Sequence, residues 1–234
     1  MIHEQPTQQE TRPSTPEPSS GRLQVLATEH WSLLATRSLT YMESFSRVGM
    51  FLTVLTGAVV ALALFAQVDH FHATFQMAAI LILAVVVFVG LATIGRVSTL
   101  NRENYRWVAG MNRLRHAYHE MYPDIEPYFV ASRFDDLRGF GVTMSLPLTN
   151  ASPLDSAAQG FQSLPAMLSV IVSTVAGLLG ALVVGWVGAP TAVAAVVAVI
   201  VFVATMVLTG VVLQRGFFEF AKAEPARFRS PSGS

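Results

Sequence analysis

The side chains that could do chemistry are few. His116, His119 and Glu120 lie within two helical turns of one another. Two imidazoles and a carboxylate at that spacing could face a metal, but the H-E-x-x-H order of a helical zinc site is absent. A solvated polar face is the simpler reading. His70 and His72 flank Phe71 in a short turn, where they could titrate near neutral pH or be ordinary surface residues. Ser169 and Ser173 sit in an apolar run that contains no base, so neither is an activated nucleophile. There is no cysteine, which removes disulfides, thiolate metal sites and cysteine nucleophiles. No catalytic, cofactor-binding or metal-binding set emerges, and a non-enzymatic protein without a cofactor is expected.

The elements that carry these residues are mostly membrane spans. Of 234 residues, 52% are hydrophobic and 13% charged, with a mean hydropathy of +0.49. A soluble domain would carry roughly a quarter charged residues. Stretches 48–68, 75–95, 164–188 and 191–214 contain no Asp, Glu, Lys, Arg or His. At 1.5 Å rise per residue each can cover a hydrocarbon core of about 30 Å. The expected fold is all-α and polytopic: two transmembrane hairpins, the second opened by Pro190, with an extension of the first hairpin as an antiparallel coiled coil. The chain divides into a disordered tail at 1–21, a helix–span–span–helix unit at 22–122, an irregular connector at 123–163, the second hairpin at 164–222 and a second tail at 223–234.

Charge sets the orientation. All 15 Lys and Arg residues fall before the first span, between the hairpins or after the last span, and the hairpin tips carry none. By the positive-inside rule, both termini and the middle segment face the cytoplasm of a bacterial inner membrane. Arg47, Arg96 and Arg215 mark the span ends, where lipid head groups are their expected contacts. Charged groups at mid-membrane depth, which cation-exporting transporters ordinarily need, are missing, as are the histidines or acids of an intramembrane protease or metal oxidase. The charges balance at 15 against 15 and give no sign of a nucleic-acid partner.

Two segments outside the spans have heptad spacing. Val97, Leu100, Asn104, Trp107, Met111, Leu114, Tyr118 and Met121 recur at steps of three and four, up to the stop at Pro123. Before the first span, Ala27, Trp31, Leu34, Ser38, Tyr41, Phe45 and Val48 do the same. If Phe45 faces Val97, then Tyr41 meets Leu100, Leu34 meets Trp107 and Trp31 meets Met111. The polar pair Ser38 and Asn104 then shares one layer and sets the register. The alternatives are that these helices lie flat on the membrane, or that the seams pair between subunits. The connector beyond Pro123 is expected to cap the helical pair and return along the membrane through Phe140, Val142, Met144 and Leu146.

Small residues mark close helix contacts. Ser169, Ser173, Gly177, Ala181 and Gly185 recur every four residues in the third span, and Thr53, Gly57 and Ala61 form a shorter strip in the first. Such faces let backbones approach in lipid, either within one chain or between subunits of a homo-oligomer.

The layout of residues 22–122, with "YRWVAGMNRLRHAY" directly after the second span, resembles the SLATT-type membrane domains of bacterial conflict systems. That resemblance implies a pore-forming or membrane-perturbing effector that assembles on a signal received through its cytoplasmic helices. A membrane scaffold or assembly factor that docks a cytoplasmic or membrane protein through the same helices is the other expectation.

Overall fold

The computed structural model describes residues 18–69, 73–144, 163–223 and 225–231, and among these there is no strand. The histidines at 70 and 72 lie outside the described residues, as do Leu146 and most of the predicted first tail. Helix α1 runs over Pro18–Asp69 and α2 over Ala73–Met121. Their 52 and 49 residues make rods of roughly 75 Å, each continuous from its charged end to the apolar tip. Neither has a proline inside, and Pro123 ends α2 by opening a 3-10 turn over Pro123–Tyr128. Helix α3 covers Leu137–Thr143, α4 Leu164–Trp186 and α5 Thr191–Ala223.

Four of these helices, α1, α2, α4 and α5, are long and apolar enough to cross a membrane. The protein is therefore a multi-pass, all-helical membrane protein. In the tight turn between α4 and α5, Gly188 adopts φ +84, a left-handed conformation that favours glycine. Pro190 then accepts the amide hydrogens of Val193 and Ala194 through its carbonyl.

Helix α2 is central, packing against α1 on one side and α4 on another, while α4 packs on α5. The membrane core joins Phe51 of α1, Leu83, Val86 and Ile94 of α2, and Leu168, Val172 and Val175 of α4. Glycines set the spacing. A Cβ on Gly90 would lie 2.5 Å from Val172 Cγ2 and 3.0 Å from Phe51 Cε2, and one on Gly177 would lie 2.7 Å from the Ala198 carbonyl oxygen. Close backbone approach of this kind raises dispersion contact where lipid leaves little hydrophobic drive.

Outside the apolar spans, residues 123–144 of the predicted irregular connector are folded. The 3-10 turn and α3 fold against α2, and Phe140 and Met144 pack on Val108, Met111, Leu33 and Tyr105. The expected run along the membrane through Phe140 and Met144 is thus corrected: these side chains turn onto α2, and Tyr105 meets the Phe140 ring edge-on at 4.8 Å. Both tail boundaries are corrected as well. Helix α1 already starts at Pro18, and residues 225–231 are seated on the connector rather than trailing free.

Candidate functional site

The seam of α1 is where structure and expectation part. On α2, Val97, Leu100, Asn104 and Met111 are buried and Trp107 is half-buried. On α1 the buried or half-buried stripe is Leu26, His30, Leu33, Arg37, Thr40, Ser44 and Val48, which leads straight into Phe51. It lies one residue, or about 100° of helix rotation, from the predicted seam. The proposed Ser38–Asn104 layer is therefore overturned: Ser38 is exposed, and Arg37 Nε donates to Asn104 Oδ1 at 3.0 Å. The arginine supplies what the serine was assigned, a donor for a buried amide.

Helix rigidity and residue size explain the rotation. A straight α1 must present one face along its length, and the membrane half is committed through Phe51, Leu55, Ala58 and Leu62. In the aqueous half that face carries Thr40 and Ser44, small enough for close packing. Their hydroxyls donate to the Thr36 and Thr40 carbonyls, both at 3.0 Å, so neither is buried unpaired. The larger Trp31, Leu34, Tyr41 and Phe45 are left outside, with Trp31 70% and Phe45 60% exposed. Helix α1 thus has two stripes outside the spans, one closed on α2 and one open.

At the boundary of the spans, Glu43 gathers two predicted head-group arginines. Arg96 donates to both its carboxylate oxygens, at 2.9 and 3.0 Å, and Arg47 donates to Oε1 at 2.9 Å. The bonds from Arg47 and then Arg96 hold the Glu43 carboxyl below its ordinary value. Arg215 is exposed.

The small-residue faces divide by use. Ser169, Ser173 and Gly177 are buried within the chain, Ala181 is half-buried and Gly185 is exposed. Thr53, Gly57 and Ala61 are exposed on α1, and a Cβ on Gly57 would meet nothing within 4 Å. Comparison with protein-family models, curated proteins and solved structures returned no match.

The second feature is a polar platform that sequence reasoning missed. Fully buried Asn112 is its hub. Asn112 donates to the Phe134 carbonyl at 2.8 Å and accepts from Arg115 at 2.8 Å and Thr143 at 3.0 Å. Arg113 Nε donates to Asp135 Oδ2 at 2.6 Å. Asp136 caps α3 by accepting from the Gly139 amide at 2.7 Å. The segment 225–231 lies on this pair of carboxylates. Asp135 accepts the amides of Phe228 at 2.7 Å and Arg227 at 3.1 Å, and its own amide donates to the Phe228 carbonyl at 3.1 Å. Asp136 accepts the Ser230 amide at 2.7 Å and hydroxyl at 2.8 Å. The Phe228 ring stacks on His116 at 3.8 Å between centroids.

Burial works to raise the carboxyl pKa of both aspartates, but in each the hydrogen bonds outweigh it. Arg113 and the Phe228 and Arg227 amides hold Asp135 below the usual range, and the Gly139 and Ser230 bonds do so for Asp136 against the repulsion of Asp135. The histidines suggested as a metal face point to different acids, His116 to Glu120 at 3.7 Å and His119 to Glu126 at 3.6 Å. His30 stacks over Tyr118 at 6.0 Å, with burial and then Arg115 pushing its pKa down.

One part of the platform carried a weak local signal that went unused: Asp is a favoured N-cap type, although Gly139 rather than Glu or Gln stands three residues after Asp136. The seating of 225–231 had no such signal, because its bonds are made by backbone groups that every residue carries.

Proposed function

We propose that this is a bacterial inner-membrane protein that works as an assembly of copies, joined through the open stripe of α1, and serves as a scaffold on the cytoplasmic face. The observation that carries the reading is the exposure of Trp31, Leu34, Tyr41 and Phe45 at a/d spacing outside the spans. A second copy is the occupant that fits best. The same helix also leaves its strip of Thr53, Gly57 and Ala61 open within the span, so α1 offers unpaired contact surface on both sides of the membrane boundary. The scaffold reading is favoured over conduction because the core around Phe51, Leu83, Val86 and Val172 is packed with apolar side chains. Ion paths usually show rings of polar or charged groups.

A pore between copies is the second reading, supported by the exposed Thr53–Gly57–Ala61 strip and by the layout resemblance of 22–122. The two separate in liposomes. Protein that native mass spectrometry shows as an oligomer and that passes no ions fits the scaffold, and ion flux transfers the conclusion to the pore. Protein that remains monomeric in mild detergent and in lipid nanodiscs sinks both.

A further inference from the structure

The segment 225–231 is held as a ligand is held, by backbone amides laid on two carboxylates, an aromatic ring on an imidazole and a serine hydroxyl on Asp136. Of these contacts, the last is chemically convertible. Ser230 follows Arg227, Phe228 and Arg229 and precedes Pro231, and Arg227, Arg229 and Pro231 are exposed. A stretch with basic side chains directed to solvent around a half-buried serine is chemistry that a protein kinase selective for basic substrates can engage.

We propose that Ser230 is a phosphorylation site and that its modification releases the 225–231 segment from the Asp135–Asp136 platform. The γ-phosphoryl group of a nucleoside triphosphate passes to Ser230 Oγ. The bond to the β-phosphate oxygen breaks as the new O–P bond forms, the hydroxyl proton goes to the kinase's base, and the nucleoside diphosphate leaves. The hydroxyl that donated to Asp136 Oδ1 at 2.8 Å becomes an oxygen of a near-dianion with no proton to give. It faces Asp136 directly and Asp135 one residue away.

The arginines of the connector and of α2 beside Ser230 are already engaged, whereas the exposed Arg227 and Arg229 belong to the segment itself and leave with it. Arg113 is bound to Asp135 at 2.6 Å, and Arg138 donates to the Pro231 carbonyl at 3.3 Å. Arg138 also lines the cavity of about 300 Å³ beside Ser230 and is the group that could capture the phosphate in place. Asp136 takes both the amide and the hydroxyl of Ser230, so repulsion governs. Release frees the Asp135 acceptors, uncovers the face of His116 and unties the end of α5 from the connector.

The test uses the full chain in nanodiscs, treated with a protein kinase selective for basic substrates and magnesium ATP. Phosphate is located by mass spectrometry, and release is read as the rate of hydrogen exchange at the Arg227 and Phe228 amides, which donate to Asp135 in the seated segment. Loss of one hydrogen bond to a charged group raises the released fraction roughly tenfold to a hundredfold, which is the effect expected of Ser230→Ala. The phosphorylated protein and Ser230→Asp must exceed Ser230→Ala by a further tenfold or so, and high salt must shrink that excess. Exchange at these amides in the phosphorylated form no faster than in Ser230→Ala overturns the proposal, because the phosphate has then been accommodated, with Arg138 as its partner. A Ser230 that stays unmodified while a free peptide of the same sequence is phosphorylated overturns it too.

Discussion

At the level of single residues, the platform rests on Asn112, which has no exposed surface and makes three side-chain hydrogen bonds to other parts of the fold. Replacing it with alanine takes the Asn112 donor from the Phe134 carbonyl and leaves the Thr143 hydroxyl with the Ser132 amide alone. Asn112→Ala should lower unfolding stability by about 1–3 kcal/mol, read by thermal unfolding in detergent. Asn104→Ala should cost less, because Arg37 keeps Tyr41 as a partner. The aspartates make a prediction about pH. Their carboxyls titrate lower in the seated state than when free, so seating is favoured at all pH values above the ordinary carboxylate pKa of about 4 and lost as pH falls through the lowered values. A spin label at Arg229→Cys should stay immobile from neutral pH down to about 5 and become mobile only in stronger acid. Mobility that rises between pH 7 and 6 would assign the control to a histidine instead. Asn104 was legible as an anomaly on an apolar stripe, but its partner was not. Arg37 falls off the heptad of large residues, and only the three-dimensional path of α1 shows that a guanidinium reaches across.

At the level of helices, spans could be read from the absence of charge, and the heptad read on α2 contains the buried Val97, Leu100, Asn104 and Met111 but not the buried Val108 and Asn112, which meet the connector. Helix α1 defeats the same reasoning because it has two stripes. Periodicity identified the bulkier, and packing chose the other, since Thr40 and Ser44 let the helices come close while the membrane half holds α1 in rotation through Phe51. Glycines give the sharpest test of this packing. Gly90→Ala and Gly177→Ala place a methyl group against Val172 and against the Ala198 carbonyl, and overpacking should destabilise each by about 1–3 kcal/mol. Gly57→Ala and Gly185→Ala meet open space and should leave unfolding of the monomer unchanged. Equal tolerance at all four positions, measured by unfolding in detergent, would contradict the helix arrangement.

For the whole molecule, α2 and α4 form the interior, α1 and α5 flank them, and the segment 225–231 returns to a charged platform built on α2 and the connector. The multi-pass class was evident from composition because lipid imposes so strict a rule on backbone and charge. The platform was not, since it joins residues more than ninety positions apart through main-chain groups. What the molecule presents outward is the open side of α1, and the account stands on that side being an interface between copies. A chain without cysteine makes the measurement direct: single cysteines are introduced at 33, 34, 40, 41 and 45, and disulfide dimers are scored in native membranes under mild oxidation. The account predicts dimers from Leu34→Cys, Tyr41→Cys and Phe45→Cys, and none from Leu33→Cys or Thr40→Cys, whose side chains face α2. Dimers from 33 and 40, or from no position at all, would contradict it.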